Sequence, residues 1–459
     1  MSQPPEATVS PRLDASRFPP GFLWGTATSA YQVEGAAAEG GRTPSTWDTF
    51  ARTPGATHHG DTGDIACDHY HRWPEDVALM RWMGTNAYRL SVSWPRLQPN
   101  GEGPLNPEGV AFYRQLLAAL REAGIEPSVT LYHWELPQAL EDAGGWPVRA
   151  TAERFATFAA LAVEALGDLA TDWVTFNEPW CQSFLAYAYG IHAPGRRHLP
   201  DAVATAHHQL LAHGLAVRAI RAGSHDVRLG IVNILTDAVP ATDSPDDIAA
   251  TARVDTNGTT LFLDPLFRGA YGRPAHDLYD AHGLAALIEP GDEALIAQRL
   301  DFMGINHYHR VLVTAEPSDP HLGARTVMAE PATTELGWPV TPEGLRNVIL
   351  RVHRDYPPIP LYVTENGASY ADYADPEGRV HDPERVEYLE GYMGAVAEAI
   401  EAGADVRGYY HWSLMDNFEW QEGYRSRFGL VHVDFPTQRR TPKTSAHWYR
   451  ELIARHGAG

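Results

Sequence analysis

The sequence predicts a single (β/α)8 barrel, the TIM-barrel form of the α/β class, with a functional site at the C-terminal ends of its strands. Three observations predict this fold. Eight short apolar segments recur along the chain, amphipathic helix patterns separate them, and most of the apolar segments finish in polar or aromatic residues. In a parallel barrel those strand ends meet on one face, so their polar residues converge there.

Candidate strands and helices alternate over almost the whole chain. The candidate strands are Phe22–Ala27, Ala87–Trp94, Pro127–His133, Trp173–Asn177, Leu229–Leu235, Phe302–Tyr308, Leu361–Thr364 and Gly408–Ser413. Clear helical patterns include Pro107–Ala123, Thr151–Leu166, Ala202–Ala222, Glu343–Arg354 and Pro383–Ala402. An open doubly wound sheet is the alternative, but the glycine-rich turn that often follows its first strand does not occur in the sequence.

The chain is predicted to form one domain after a short N-terminal arm. Residues 1–17 are polar and contain prolines, so we expect a loose arm there. From Phe18 onward there is no linker, charge block or shift in composition, which predicts that residues 18–459 form one barrel domain. The hydrophobic share of 44% supplies enough apolar side chains for a large core.

The charge balance limits the partners of the protein. The chain carries 58 acidic and 36 basic residues, a formal net charge of −22 at pH 7. This balance argues against a nucleic acid or an anionic membrane as partner, and it leaves a homo-oligomer open. Lys443 is the single lysine, so a phosphate-binding loop of the Gly-Lys type is excluded.

The expected location is the cytoplasm. The first ten residues lack the basic and apolar regions of a secretory signal, and no apolar stretch of about 20 residues could span a membrane. Cys67 and Cys181 lie far apart and form neither a disulfide framework nor a metal-type pair.

Two glutamates stand where predicted strands end. Asn177-Glu178-Pro179 closes the fourth candidate strand and Thr364-Glu365-Asn366 closes the seventh. Two facing carboxyl groups suit glycoside hydrolysis, in which one protonates the leaving oxygen and the other attacks or stabilises the anomeric carbon. Either glutamate taken alone could instead cap a helix or pair with an arginine, so the pair at matching strand ends carries the argument.

The aromatic content is typical of a site that binds sugar. The chain has 13 tryptophans and 20 tyrosines. Indole faces suit the apolar face of a pyranose, while amide, imidazole and carboxylate groups suit its hydroxyl rim. Several tryptophans lie in or beside the predicted strand-end loops, namely Trp134, Trp180, Trp338, Trp412 and Trp420.

Taken together, these segments resemble family 1 glycoside hydrolases of the β-glucosidase type. The match runs from about residue 18 to 453. The segments that carry it are Phe22–Gly35, Thr130–Trp134, Thr175–Pro179, Val363–Gly367, Asp416–Trp420 and Arg427–Leu430. The resemblance implies a (β/α)8 catalytic domain over residues 18–459, retention of the β configuration, and neither a metal ion nor an organic cofactor. It implies that a β-glucoside or cello-oligosaccharide is the substrate and that glucose is released from the non-reducing end.

The resemblance also implies the catalytic roles. Glu178 matches the acid/base of the family and Glu365 matches its nucleophile, with carboxyl groups roughly 5 Å apart in a retaining enzyme. Arg89 and the Tyr308 hydroxyl are expected to stabilise the Glu365 anion. The negative charge of Glu365 is expected to raise the pKa of Glu178.

The remaining site residues follow by position. Asn177 matches the residue that contacts the sugar 2-hydroxyl, and Asn306 is expected near the nucleophile. Trp412 matches the platform beneath the ring, followed by a cis peptide bond to Ser413. Trp338 matches a wall on the aglycone side. Four residues match ligands of the other glycone hydroxyls, and two more are expected to support the cleft: Gln32, His133, Glu419 and Trp420, then Trp134 and Phe428.

Several alternatives remain open at this stage. A 6-phospho-β-glycosidase of the same family would use a serine and a lysine in the last loop, where this chain has Glu419 and no lysine. A plant-type thioglucosidase would lack Glu178. An inactive sugar-binding protein would be expected to have lost one glutamate, and both are present. A metal site is suggested by three histidine pairs, His58-His59, His69-x-His71 and His207-His208. The sequence has no His-Glu-x-x-His motif to support it. Residues 240–256 and 311–335 match weakly and are expected to be variable loops.

Overall fold

The computed structural model describes residues 10–328 and 334–457. Its centre is a closed barrel of eight parallel strands, in the spatial order β1-β8-β7-β6-β5-β4-β3-β2. The predicted barrel is therefore confirmed. The strands are β1 Leu23–Ala27, β2 Ala87–Ser91, β3 Glu126–Tyr132, β4 Asp172–Asn177, β5 Arg228–Ile234, β6 Phe302–Asn306, β7 Leu361–Asn366 and β8 Val406–Trp412.

In the described part of the chain, seven long helices surround the barrel and nine shorter α-helices lie in its loops, five of them between β5 and β6. The long helices are His69–Met83, Pro107–Glu122, Arg149–Leu166, Leu199–Arg221, Pro342–Asp355, Pro383–Glu401 and Thr444–Gly457. The shorter α-helices are Ala30–Val33, Thr46–Ala51, Trp94–Leu97, Gln138–Asp142, Pro245–Asp255, Leu261–Arg268, Arg273–Tyr279, Leu284–Leu287 and Asp292–Ile296. Two π-helical segments and five 3₁₀ turns complete them: Cys181–Ala188 and Thr256–Thr260, then Ala15–Arg17, His58–Gly60, Pro99–Gly101, Asp280–His282 and Trp420–Glu422.

The helix Pro107–Glu122 shows how local sequence sets an element. The Asn106 side chain accepts a hydrogen bond from the Glu108 amide, and Pro107 occupies the first turn, where its missing N–H is not needed. Its buried positions, which include Phe112, Leu116 and Leu120, recur every four residues, so one face packs inward.

Aromatic rings fill the lower part of the barrel over strand glycines. A Cβ atom on Gly25 would lie 2.4 Å from the Tyr410 ring, and one on Gly230 would lie 2.5 Å from the Phe302 ring. Only glycine leaves room for these rings, so the barrel interior is a packed plug rather than a channel. The cleft is consequently confined to the end where the strands finish.

Residues 240–256 and 311–335 differ from the variable loops that the sequence analysis expected. They contribute the helix Pro245–Asp255 and two strands of a three-stranded sheet; residues 329–333 lie outside the described part. In the central strand, Val311 and Val313 lie on the same face and pack with Ala250 in a small separate core. This burial explains why the segment forms regular structure. The sheet consists of Asp237–Pro240, Arg310–Ala315 and Ala324–Met328, and a separate antiparallel pair is formed by Val431–Asp434 and Arg439–Pro442.

The N-terminal arm, predicted to be loose over residues 1–17, is docked from residue 10 onward. Ala15 is buried, and Arg12 and Arg17 form ion pairs with the helix Pro383–Glu401. The buried Ala15 and these ion pairs hold the segment against the barrel domain. The polar composition of the segment did not indicate these contacts. Residues 1–9 lie outside the described part, and the division into an arm and one domain stays a prediction. Within residues 10–328 and 334–457, no helix is both long and apolar enough for a membrane span.

Candidate active site

A cavity of about 470 Å³ opens at the C-terminal ends of the strands. Both predicted catalytic glutamates line it, as do most of the predicted sugar-binding and supporting residues: Glu178, Glu365, His133, Tyr308, Trp412, Glu419, Trp420, Trp134, Trp338 and Phe428. Gln32, Arg89, Asn177 and Asn306 lie behind this lining and are almost fully buried. The fold thus gathers the predicted site from every part of the chain.

Glu178 follows the last residue of β4. Its backbone has a left-handed φ of 49°, and its amide donates to the Val232 carbonyl of β5. Each oxygen of its carboxyl group has a partner: Oε1 accepts from Asn306 Nδ2 at 2.6 Å, and Oε2 lies within hydrogen-bond distance of the Cys181 thiol, at 3.0 Å. The side chain is therefore held in one orientation before any substrate arrives.

Glu365 lies near the end of β7 and is also held through both carboxylate oxygens. Arg89 donates to Oε1 at 2.5 Å, and the Tyr308 hydroxyl donates to Oε2 at 2.7 Å. The guanidinium and the hydroxyl both favour the ionised carboxylate. The structure thus supplies the anion-stabilising contacts that the sequence predicted for Arg89 and Tyr308.

A buried chain of hydrogen bonds joins the two glutamates. Arg89 bridges from Glu365 to the Asn177 side-chain oxygen, at 2.7 Å from the latter. Asn306 donates from one amide nitrogen to Asn177 and to Glu178. Because every link is buried, a shift of one glutamate disturbs the other.

Glu178 and Glu365 are in different electrostatic situations. Burial, and then the negative charge of Glu365, raise the pKa of Glu178 to about 8. The hydrogen bonds from Asn306 and Cys181 oppose this rise without cancelling it. Glu178 therefore carries a proton at neutral pH, as the sequence analysis expected.

The side of the cleft opposite its mouth is built around Gln32, Trp412 and Glu419. The Gln32 amide donates to Glu419 Oε2 at 3.4 Å and to the Phe418 carbonyl at 2.9 Å. Burial, and then the charge of Glu365, raise the pKa of Glu419 to about 8. The peptide bond between Trp412 and Ser413 is cis, as the resemblance implied.

Aromatic rings surround His133 on this side. The His133 ring lies parallel within about 20° to both Trp412 and Trp420, with centroid distances of 5.9 and 5.8 Å. Burial, and then the charge of Arg89, hold the pKa of His133 well below its usual value, so the imidazole is neutral. Its Nδ1 is buried and has no hydrogen-bond partner among the described residues, which leaves it available to a sugar hydroxyl.

The mouth of the cavity contains residues that the sequence analysis did not select. Trp338, whose ring centroid lies 5.4 Å from that of Tyr308, lines the cavity, and its role as a wall on the aglycone side stays a prediction. Trp180 lines the cavity, whereas Phe184 lies behind it against the Trp180 ring. The missed lining residues are Cys181, Leu185, His192, Ile234, Glu335, Leu336, Gln421, Glu422 and Arg425. Proximity to the Glu178 and Glu419 motifs was the signal that could have found most of them.

Behind the loop that carries Glu419 lies a buried ion cluster. Its lysine, Lys443, is fully buried and donates to Asp372 and Asp416 at 2.5 and 2.7 Å. Two arginines and one more aspartate complete the cluster, with Arg427 on Asp416 and Arg385 on Asp372 and Asp382. We call these six residues the ion cluster. Since Asp416 also accepts from the amide of Gly429, the cluster fixes the last strand-end loop.

The histidine pairs that suggested a metal site have protein partners. His69 contacts Asp76 at 2.7 Å, and His207 contacts Tyr271 and Asp292. His58 and His59 stack on one another. Among the described residues, no group of three or more histidine, cysteine, aspartate or glutamate side chains is arranged to hold a metal ion.

Comparison with known proteins agrees with this geometry. The family model described as glycosyl hydrolase family 1 matches residues 14–458. The chain belongs to this family. It is 48% identical to the thermostable β-glucosidase B of Thermobispora bispora, over 96% of this chain and 91% of that protein. It is 44% identical to a bifunctional β-D-glucosidase/β-D-fucosidase of Bifidobacterium breve, over 96% of this chain and 99% of that protein.

Solved structures agree with these relatives. The psychrophilic β-glucosidase of Micrococcus antarcticus superposes with a TM-score of 0.92 at 46% identity, covering 95% of this chain and 97% of that one. The sequence-based assignment to family 1 glycoside hydrolases is therefore confirmed.

Proposed function

We propose that this protein is a retaining, exo-acting β-glucosidase in which Glu365 is the nucleophile and Glu178 the acid/base. The observation that carries the proposal is the contrast between the two carboxyl groups. Glu365 receives a guanidinium and a phenol hydroxyl, whereas Glu178 is buried beside that anion and keeps its proton. One group is thus prepared to attack and the other to protonate the leaving oxygen.

In the first step, Glu365 attacks the anomeric carbon and forms a covalent glucosyl-enzyme. Glu178 gives its proton to the glycosidic oxygen as the bond to the aglycone breaks. Esterification removes the charge of Glu365, which is the second largest cause of the raised pKa of Glu178. Glu178 then becomes the stronger acid, remains ionised, and takes a proton from the water that releases glucose.

The glycone site explains the exo action. The ring lies over Trp412, where His133 and Glu419 receive the hydroxyls away from the mouth and the Gln32 amide orients Glu419 from behind. The packed barrel interior lies beneath these residues, so a chain can enter with its non-reducing end only. Asn177, fixed by Arg89, is placed to contact the 2-hydroxyl, a contact that strengthens towards the transition state.

The substrate that we propose is an aryl or alkyl β-glucoside or a short cello-oligosaccharide. The bifunctional relative from Bifidobacterium breve supports some tolerance of β-D-fucosides. Glu419 is the contact that decides this tolerance, because a carboxyl group can receive hydroxyls of more than one configuration. A cytoplasmic location stays a prediction of the sequence.

The rival phosphoglycosidase function is disfavoured by the charges at the cleft. Arg427 is paired with Asp416 and Arg425 with Glu422, while the lysine is buried in the ion cluster. By resemblance, Glu419 stands where a phosphate group would have to lie. Its pKa of about 8 leaves it mostly protonated at neutral pH, so it gives a phosphate no positive partner, and any ionised fraction would repel one.

Initial rates on matched aryl β-D-glucoside and aryl β-D-glucoside 6-phosphate at neutral pH test the proposal. We expect fast release from the neutral glucoside and at most slow release from the phosphorylated one. Release from the phosphorylated substrate alone would overturn the proposed role of Glu419 and transfer the activity to phosphorylated disaccharides.

A further inference from the structure

Cys181 is a buried thiol that the mechanism above does not use. It begins the π-helical segment that follows Glu178, and its amide donates to the Glu178 carbonyl at 3.0 Å. Its sulfur lies 3.0 Å from Glu178 Oε2 and also lines the catalytic cavity. The thiol and the carboxyl group are therefore held together by backbone and side chain at once.

The hydrogen-bond chain determines which oxygen of Glu178 carries the proton. Arg89 can only donate, so the Asn177 atom that it contacts is the amide oxygen. The Asn306 atom that faces this oxygen is then the amide nitrogen, and the same nitrogen faces Glu178 Oε1. Oε1 must accept, so the acidic proton sits on Oε2, beside Cys181.

The position of Cys181 agrees with this assignment. Asn306 lies behind the lining of the cavity, whereas Cys181 is part of it. The neighbour of Oε2 therefore borders the cavity into which a leaving group would come, whereas the neighbour of Oε1 does not. A thiol can accept from a protonated carboxyl group and donate to an ionised one, so it can remain bonded in both states.

The other charged and titratable groups around Glu178 come from five strands of the barrel. They are Arg89 on β2, His133 after β3, Tyr308 after β6, Glu365 on β7 and Glu419 after β8. His133 is neutral, and the proton of Tyr308 is held by burial and by the neighbouring Glu365. None of these contacts Oε2 in the described structure, which leaves Cys181 as its side-chain partner.

We infer that Cys181 is a positioning residue for the acid/base, and that its thiol hydrogen-bonds to Glu178 Oε2 and sets the pH at which this group exchanges its proton. In the first step the proton leaves Oε2 for the glycosidic oxygen, and the thiol turns to donate to the new carboxylate. In the second step the proton from water returns to Oε2. This inference rests on the proposed function of Glu178.

The experiment compares Cys181→Ser and Cys181→Val with the unchanged protein through pH profiles of kcat/KM on an aryl glucoside with a poor leaving group. A hydroxyl donates more strongly than a thiol, so the serine variant should move the alkaline limb down by about 0.5 pH unit. Valine cannot donate, so the ionised form loses a partner and the limb should move up by about as much. Opposite shifts are the decisive result, because a role in packing alone would not produce them.

A second substrate separates proton transfer from a general loss of structure. With a dinitrophenyl glucoside the leaving group needs little protonation, so kcat/KM of both variants should stay within about twofold of the unchanged protein. Cys67→Ala, at the other buried thiol, is the matched control and should leave the alkaline limb in place. Limbs that stay unmoved in both Cys181 variants, or that move in the same direction, would overturn the inference while leaving the glucosidase function intact. Absence of glucosidase activity in the unchanged protein would instead overturn the proposed function.

Discussion

Glu178 in the cleft and Asp416 in the ion cluster are both buried, yet they hold their protons differently. Burial and the charge of Glu365 raise the pKa of Glu178. Burial also acts to raise the pKa of Asp416, but the charges of Lys443 and Arg427 outweigh it and hold that pKa below its usual value. The difference lies in the cations, because each charge removed from water needs compensation.

The number of cations distinguishes the two regions. In the cleft, Arg89 pairs with Glu365, and no ion pair among the described residues reaches Glu178 or Glu419. In the ion cluster, three aspartates face one lysine and two arginines. Asp382, which contacts Arg385, still has a pKa raised by burial, because the charges of Arg385 and Lys443 offset that burial only in part. A buried carboxyl group without a cation keeps its proton and can act as an acid. A buried carboxylate paired with cations stays ionised and supports the loop around it.

The largest expected effect is the loss of kcat when Glu365, the cleft carboxylate that is paired with Arg89, is removed. Glu365→Gly should lower kcat on the order of 10⁴-fold or more, because no covalent intermediate can form. Added azide or formate should restore part of the activity by taking the place of the carboxylate. Product analysis should find an α-configured glucosyl azide, whereas a β-configured azide would reverse the roles of Glu365 and Glu178.

The next effect tests the ion cluster. Lys443→Met leaves Asp372 and Asp416 without their shared cation and should lower the free energy of unfolding by about 3–5 kcal/mol. Arg407→Met is the control, since it removes a cation from an exposed pair with Asp405 and should cost within ~1 kcal/mol. Urea unfolding at pH 7 measures both. Equal losses in the two variants would break the comparison, because burial would then not matter.

The alkaline limb of the pH profile of kcat/KM reports the pKa of Glu178 in the cleft. The pKa of Glu178 is raised to about 8, so the acid form is present below that pH and is lost above it. Activity on a poor leaving group should fall about tenfold per pH unit above the limb. A limb near the ordinary value for glutamate would show that burial and Glu365 do not act on Glu178 as described.

The last expected effect is a change of stability with pH, and it has opposite signs for Glu178 in the cleft and Asp416 in the ion cluster. The pKa of Glu178 is higher in the folded state, so its contribution to stability is full below the unfolded pKa and is lost as pH rises towards about 8. Glu178→Gln should therefore match the unchanged protein within about 1 kcal/mol at pH 5 and become the more stable of the two at pH 9.

Asp416→Asn provides the contrasting variant. The pKa of Asp416 is lower in the folded state, so its contribution is present at neutral pH and is lost as pH falls through the folded pKa. The variant should be less stable than the unchanged protein at pH 7, with a deficit that shrinks towards acid pH. Urea unfolding at several pH values checks both variants, and slopes of the same sign would contradict the assignment of charges.

Much of the site could be predicted because its chemistry lies in short motifs at strand ends. Glu178 and Glu365 were recognisable from their neighbours, and the barrel then required them to share one face. Cys181 and Arg425 also lie close to the Glu178 and Glu419 motifs, but a cysteine or an arginine at these positions does not by itself indicate a role in the site. The strand at residues 311–315 was missed although Val311-Leu312-Val313 is a short apolar run rich in β-branched residues, because the weak family match suggested a loop.

By itself, the sequence determined the alternation of strands and helices, the acidic net charge and the positions of the two glutamates proposed as catalytic, since each depends on local pattern or on composition. Only the tertiary structure decided which carboxyl groups have cations. Lys443 and Asp416 lie 27 residues apart, and Arg89 and Glu365 lie 276 apart. A pKa depends on burial and on neighbours in space, so the division into an acid, a nucleophile and a structural anion arises when the barrel closes.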